Sequence, residues 1–490
     1  MKTKKTPVEV NAGKRGLRLV FFLLSFVFYL LAGCDQEQGG QADIEPQAPS
    51  VNIEDAEDLK KIGKVTGYPL NGRYTLTADI TVSGWSPLTQ TSDFSGVFDG
   101  AGRTITITGG TGGLFMYADG ATVRNLAVNV TAVVTAADDT GAMAGGIVGF
   151  AKRTLIENCT AVVDLTVTGK AHNSSAGGIV GAMGSSSTVR NCAASGKVEL
   201  HGDGFQLMVY AGGVAGYSGT PGSAGTGASG CLIERSRWTS GTVSAESPFP
   251  YAGGVVGYNY TGAAVKRCWA AGSVKARGAN LPYAGGVAGY NSGYVRGKDT
   301  PSVIENCYST AAVEAESTSK AALAGGVAGS NAKGALISKC YAAGAVTARV
   351  AGNGAEDIGG SIGPMAAASA GGIAGAQYYY EESPAIEYCA ALNPAVNGAD
   401  TAAGAVWNIY RIAGAGTPDS DNTTNARVYY RNNIAYSGMT VTRRAGTVAS
   451  DANGRDGADC EEKPAQAVFE GLGWDFGGVW KMDDGGRPAL

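Results

Sequence analysis

Nine cysteines, two histidines and a few clustered acids are the groups in this 490-residue chain that could do chemistry. Six thiols, Cys159, Cys192, Cys268, Cys307, Cys340 and Cys389, recur at one point of successive similar stretches, and Ser236 stands where a seventh would fall. Zinc needs about four ligands converging on one point, and these thiols are spread along the chain. In stacked strands equivalent residues lie about 4.8 Å apart with parallel side chains, whereas a disulfide wants Cβ atoms near 3.8 Å. The column therefore reads as buried free thiols packing like small hydrophobes. Cys231 and Cys460 fall outside it, and no bond is assigned to them.

Hydrolytic chemistry finds little to use. A zinc peptidase needs His-Glu-x-x-His, and His172 and His201 stand apart in what read as loops between repeats. Gly359-Gly360-Ser361-Ile362-Gly363 has the form of a nucleophile elbow, but a hydrolase triad places its histidine later in the chain, and both histidines come earlier. Asp138 and Asp139 are adjacent, so an extended backbone points them to opposite sides, and Asp99 sits in a turn-like Phe-Asp-Gly-Ala-Gly. The stretch Asp451 to Glu462 is oxygen-rich in the manner of a calcium loop, but Arg455 stands at its fifth position and Asp456 replaces the glycine of the sixth. The expectation is no catalytic residue, no metal and no cofactor, hence not an enzyme. A polysaccharide lyase or hydrolase, working through paired carboxylates on a β-helix face, is the enzymatic alternative.

The elements around these residues repeat. Ala-Gly-Gly-(Ile/Val)-(Val/Ala)-Gly begins at Ala144, Ala176, Ala211, Ala252, Ala284, Ala324 and Ala370, at spacings of 32 to 46 residues, so insertions are confined to loops around a fixed core. Each copy is followed by an aliphatic, two mostly polar residues and the column cysteine, as in Ile304-Glu305-Asn306-Cys307, and then by a third short element such as Ala271-Gly272-Ser273-Val274. Three strand-like pieces per unit suit one coil of a parallel solenoid, which buries its apolar face only by stacking on its neighbours. A propeller blade would need four strands and recurring hairpin turns, for which no fixed Asn-Gly or Asp-Gly signal exists.

These repeats resemble GLUG motifs, known from bacterial surface proteins that include adhesin-like and IgA-protease-like members. Flanking segments agree, among them Phe94-Ser-Gly-Val-Phe-Asp99-Gly100 and the closing Gly473-Trp474-Asp475-Phe476, Trp480 and Arg487-Pro488-Ala489-Leu490. The resemblance implies an all-β fold, a right-handed parallel β-helix from about Val51 to about Asp400, with a C-terminal capping region. A solenoid end exposes unpaired strand edges; Trp474, Phe476, Trp480 and Leu490 are the residues expected to bury it.

The N-terminus carries a basic stretch (Lys2, Lys4, Lys5, Lys14, Arg15, Arg18), then the apolar run Leu19 to Leu31, too short to span a bilayer comfortably, then Leu31-Ala32-Gly33-Cys34. That ending resembles the lipobox of bacterial lipoproteins and implies lipidation at Cys34, hence a membrane anchor rather than a span. Residues 1–33 read as signal peptide, 34–50 as a polar tether, 51–140 as N-terminal cap and first coils, 141–400 as the repeat solenoid and 401–490 as its end and cap. Cleavage would take the formal charge from −4 to −9, by removing six basic residues and Glu9, and an acidic chain has no electrostatic footprint for nucleic acid.

The functional expectation is an exported, lipid-anchored protein of the bacterial envelope, outer membrane or cell surface, binding a glycan or host protein in an adhesin-like way. A structural lipoprotein or assembly subunit is the alternative. Strand parity points to a surface: if the column cysteine faces inward its successor faces outward, and three successive successors are Trp269, Tyr308 and Tyr341. Such a row about 5 Å apart suits stacking on sugar rings, and these three are the candidate ligand-binding residues. The competing reading is that the rings cover the strand surface or lie under a loop.

Overall fold

Every repeat turns four corners because small and left-handed residues stand where the chain must bend. The computed structural model describes residues 50–136, 141–170, 173–202, 204, 207–219, 230–293, 301–351, 368–378, 383–400, 407–416, 429–442 and 447–490. One coil runs through strands Met143–Gly145, Val148–Lys152, Leu155–Glu157 and Thr160–Gly169. The next coil lies in register on it, with Ala144 opposite Ala176, Val148 opposite Val180, Ile156 opposite Val189 and Leu165 opposite Val198. Repetition gives four parallel sheets, called first to fourth in this order. The first has 8 strands, the second 9 and the third 12. Among the described strands only Lys481–Met482 and Pro488–Ala489 pair antiparallel. This is the expected all-β parallel β-helix.

Each coil has four strands rather than three, because the Ala-Gly-Gly-(Ile/Val) string ends one strand and turns a corner into the next. A Cβ on Gly145 would lie 2.6 Å from Gly181 N of the next coil, and one on Gly146 would lie 2.9 Å from Val163 Cγ1 inside the core. The backbone approaches too closely there for any side chain. Positive φ falls at a different corner. At the corner from third to fourth sheet the left-handed residue is usually not glycine but Asn125, Asn158, Asn191, Arg235, Arg267, Asn306, Lys339, Tyr388 or Asn432, with φ from 49° to 56°. Asparagine tolerates this conformation at low cost.

The residue after that corner is the column residue. Cys159, Cys192, Cys268, Cys307, Cys340 and Cys389 are fully buried and carry free thiols, with Ser236 continuing the column. Each thiol caps its own turn, Cys268 Sγ donating to Lys266 O at 3.2 Å and Cys307 Sγ to Glu305 O at 3.3 Å. The sulfur in turn accepts from the previous coil, as Cys268 N donates to Cys307 Sγ at 3.4 Å. Asn433 ends the column by taking the same role, accepting from Cys389 N at 2.9 Å through Oδ1. Burial pushes the thiols of Cys192, Cys268 and Cys340 well above the usual range. Maleimide is therefore expected to leave Cys268 and Cys340 unmodified in native protein and to modify them after denaturation; rapid labelling of the native state would contradict this packing.

A second interior ladder, of amides, runs beside the second sheet. Asn259 Nδ2 donates to Asn291 Oδ1 at 2.8 Å, and Asn291 Nδ2 to Asn331 Oδ1 at 2.9 Å. All three are fully buried, so the ladder holds its register only while each amide finds the next.

The two ends are closed differently. Helix Ala56–Lys61, with Asp55 capping the amides of Glu57 and Asp58, presses Leu59 into the N-terminal end. At the far end the buried Arg411 spans the last layer, donating to Asp459 Oδ1 at 2.6 Å and to Gly457 O at 3.0 Å. Asp456 accepts from Arg411 N at 3.2 Å and from Ala449 N at 3.1 Å, and Asp451 accepts from Asn453 N at 3.0 Å. Asp451, Asp456 and Asp459 of the calcium-like stretch are thus engaged in closing the stack. Trp474, Phe476, Trp480 and Leu490, expected to bury this end, pack instead in a cluster on the outer side of the fourth sheet that runs from Tyr341 to Ile434 of the last strands.

Candidate functional site

The outward row exists as parity requires. Ala193, Arg237, Trp269, Tyr308, Tyr341 and Ala390 pair in register along the fourth sheet. Trp269 and Tyr308 stack at 5.7 Å and 9°, and Tyr308 and Tyr341 at 4.9 Å and 3°.

Of the two readings of this row, the one in which the rings lie covered holds for Tyr341, which is buried, and in part for the half-buried Tyr308 and Trp269. The C-terminal segment returns along the flank of the stack and covers the row. Helix Gln466–Gly471 brings Phe469, and Trp474 and Trp480 follow, packing with Tyr341 in one buried apolar cluster. Tyr341 is only 2% exposed and donates its hydroxyl to Pro488 O at 2.7 Å. Trp480 Nε1 reaches Asn306 Oδ1 at 3.2 Å and Trp474 Nε1 reaches Tyr388 O at 2.9 Å. The segment therefore clasps the coils of Asn306, Tyr341 and Tyr388 from the side. A stack of flat rings is itself a large apolar strip, and covering it removes that strip from water. Burial raises the Tyr308 phenol to about 12, with Asp483 adding to the rise and Arg237 opposing it.

Where the clasp stops, a cavity opens. It measures about 360 Å³ and is lined by Trp269, Asn191, Arg235, Arg237 and Arg267, with Gly478, Val479 and Leu490 of the clasp as its far wall. Trp269 is half-buried there, as is Tyr308 beside it in the row. The indole offers an apolar wall and the guanidinium groups offer donors, so the cavity can hold a group with one flat face and several acceptors. A second cavity of about 330 Å³ lies at the N-terminal end between residues 62–70 and 86–92, lined mainly by backbone turns and small polar side chains.

The sequence reading missed a second aromatic assembly. Tyr-Ala-Gly-Gly-Val-(Ala/Val)-Gly-Tyr occurs at 210–217, 251–258 and 283–290, and that recurring pair of tyrosines was the available signal. Tyr210, Tyr251 and Tyr283 of the first sheet meet Tyr217, Tyr258 and Tyr290 of the second, outside the main core. Tyr251 stacks on Tyr283 at 4.7 Å and meets Tyr258 edge-on at 5.4 Å. Burial pushes the phenols of Tyr251, Tyr258 and Tyr283 well above their ordinary value and that of Tyr290 to about 12.

The remaining candidates scatter. Cys34, Asp138, Asp139, His172 and the Gly359–Gly363 motif lie outside the described residues. His201 is on strand Ala193–Gly202 and not in a loop, between Glu199 at 3.4 Å and Glu246 at 3.6 Å. Asp99 accepts from Ala101 N and Arg124 Nε, as a turn acid does. Cys231 and Cys460 are not joined by a disulfide.

Two solved structures are similar to this chain. One is described as a candidate immunoglobulin A1 protease from Bacteroides ovatus, with 16% identity and a TM-score of 0.38, over 90% of this chain and 91% of that one. The other is described as an IgA1 protease, with 13% identity and a TM-score of 0.30, over 80% of this chain and 22% of that one. The expectation that the chain is not an enzyme is corrected on this finding, since the neighbours carry an enzyme's description. At such identities the likeness is one of fold and brings no catalytic residue to this chain. The comparison with curated proteins gives no match. The GLUG motif matches residues 172–199 and 280–314, each stretch running from just before an Ala-Gly-Gly string through the column cysteine into the fourth-sheet strand that follows. The chain carries the GLUG motif, and its repeats build a parallel β-helix.

Proposed function

We propose that the protein is a lipid-anchored binding protein of the bacterial envelope, tethered through Cys34 and taking its ligand, a glycan or host protein, at the Trp269 cavity. The signal-like residues 1–33 and the lipobox-like ending at Cys34 support export and anchoring. One observation carries the binding site: a stacked aromatic row, covered along most of its length, ends at a half-buried indole in a cavity of about 360 Å³ walled by donors. A ligand entering there extends the stack on a rigid platform whose order is already set by the sheet, so little side-chain entropy is lost.

Arrays of glycans and of host surface proteins, probed with the intact lipoprotein in detergent, test this. Retention is expected, and Trp269→Ala is expected to weaken it by roughly thirtyfold, the loss of a central aromatic anchor worth about 2 kcal/mol. Because Trp269 lies on the outer side of the sheet, its melting temperature should stay within a few degrees of the parent. Retention that survives Trp269→Ala unchanged would remove the site.

A further inference from the structure

We infer that the ligand of this cavity is an acidic sugar, with its ring on Trp269 and its carboxylate or sulfate on Arg235, Arg237 and Arg267; the inference rests on the cavity being the binding site. Along the left-handed corner column the residues are Asn125, Asn158 and Asn191, then Arg235 and Arg267, then Asn306. The column changes from amide to guanidinium only at the two coils that wall the cavity, before the basic Lys339 further on. Arg237, one strand position past its column residue, adds a third guanidinium from the same two coils.

These charges are poorly neutralised from within. Glu234 is the nearest acid, but it pairs with Arg190 at 3.3 Å and stands 3.9 Å from Arg267. Among the described residues neither Arg235 nor Arg237 has an ion-pair partner, and Asp483 acts instead on Tyr308 and Tyr341 further along the row. Three cations around one cavity, in a chain of net charge −4, stand out against their surroundings. Guanidinium groups present paired donors that match a carboxylate or sulfate. A cavity at the small end of the roughly 300–1,000 Å³ range for ligands, with one aromatic wall, suits a sugar ring better than an extended acidic peptide, which offers charge but no flat apolar face.

The test uses intact lipoprotein on an array that pairs uronate, sialylated and sulfated oligosaccharides with their methyl-esterified, reduced or desulfated counterparts, and includes poly-glutamate. Acidic members are expected to bind and their neutral partners not to. Arg235→Asn combined with Arg267→Asn restores the residue of the neighbouring coils, so the corner conformation is kept; it should weaken binding at least tenfold, the scale of one lost hydrogen bond to a charged group. Added salt should weaken it further. Equal binding of neutral partners, or an arginine variant that binds like the parent while Trp269→Ala does not, overturns the charge assignment and leaves the site standing. Poly-glutamate bound as tightly as the acidic sugars overturns the sugar. Binding indifferent to Trp269→Ala removes the site and this inference with it.

Discussion

Raising the pH above 10 should unfold the protein cooperatively, with a midpoint between about pH 10 and 12. The cause is the tyrosine assembly between the first and second sheets. Tyr210, Tyr217, Tyr251, Tyr258, Tyr283 and Tyr290 are packed on one another, and burial raises all six phenols. A phenol that ionises near 10 when unfolded but higher when folded contributes its full stability below pH 10. That stability is lost as the pH rises from 10 through the folded value, because only the unfolded chain can release the proton. At one pH unit above 10 each phenol costs about 1.4 kcal/mol, so six cost on the order of 8 kcal/mol, against a typical total of roughly 5–15 kcal/mol. The buried thiols of Cys192, Cys268 and Cys340, which burial also raises, act in the same direction. Tyrosinate absorbance and the circular dichroism of the sheets should therefore change together in one transition. Tyrosinate appearing near pH 10 with the sheet signal intact would show that these rings reach solvent in the native state.

Gly286→Ala should destabilise the fold by about 3 kcal/mol or more, at the upper end of overpacking costs, because the clash is with backbone and cannot be relieved by a rotamer change. A methyl there would fall on Gly326 O of the following coil and on the Ser309 side chain. The neighbouring Gly285 is bounded in the same way, 2.6 Å from Gly329 N. Gly471 is the internal control: it ends an exposed helical turn, a Cβ there meets nothing within 4 Å, and Gly471→Ala should be neutral or stabilising by up to about 1 kcal/mol. Urea midpoints of the two variants decide the matter, and equal midpoints would mean that coil spacing is not set by these glycines.

The fold was legible in the sequence because a solenoid writes its architecture once per coil. Ala-Gly-Gly recurs in each repeat and is followed each time by the column cysteine or its serine substitute, and stacking in register follows from that recurrence. The corner inside Ala-Gly-Gly-Val was not legible, since a run of small apolar residues reads equally as a strand, and only the approach of the next coil forces the bend. The left-handed column went unread: asparagine before cysteine was the available signal at three coils, but Arg235, Lys339 and Tyr388 in the same conformation gave none. Parity placed Trp269, Tyr308 and Tyr341 correctly in one outward row. What covers them could not be read, because the covering segment occurs once, has no period, and meets Tyr341 through Pro488, 147 residues away.

A stack in which each coil touches only its neighbours comes apart at its weakest joint, as a pile of plates does. The segment from Phe469 to Pro488 changes that for one stretch of the pile. By bonding to Asn306, Tyr341 and Tyr388 it ties three plates to one strap, so none of the three can lift without the strap lifting from all. Local opening is thereby pushed to the unstrapped coils nearer the N-terminus, and the rim of the Trp269 cavity becomes the hinge line between a stiff half of the rod and a more yielding one.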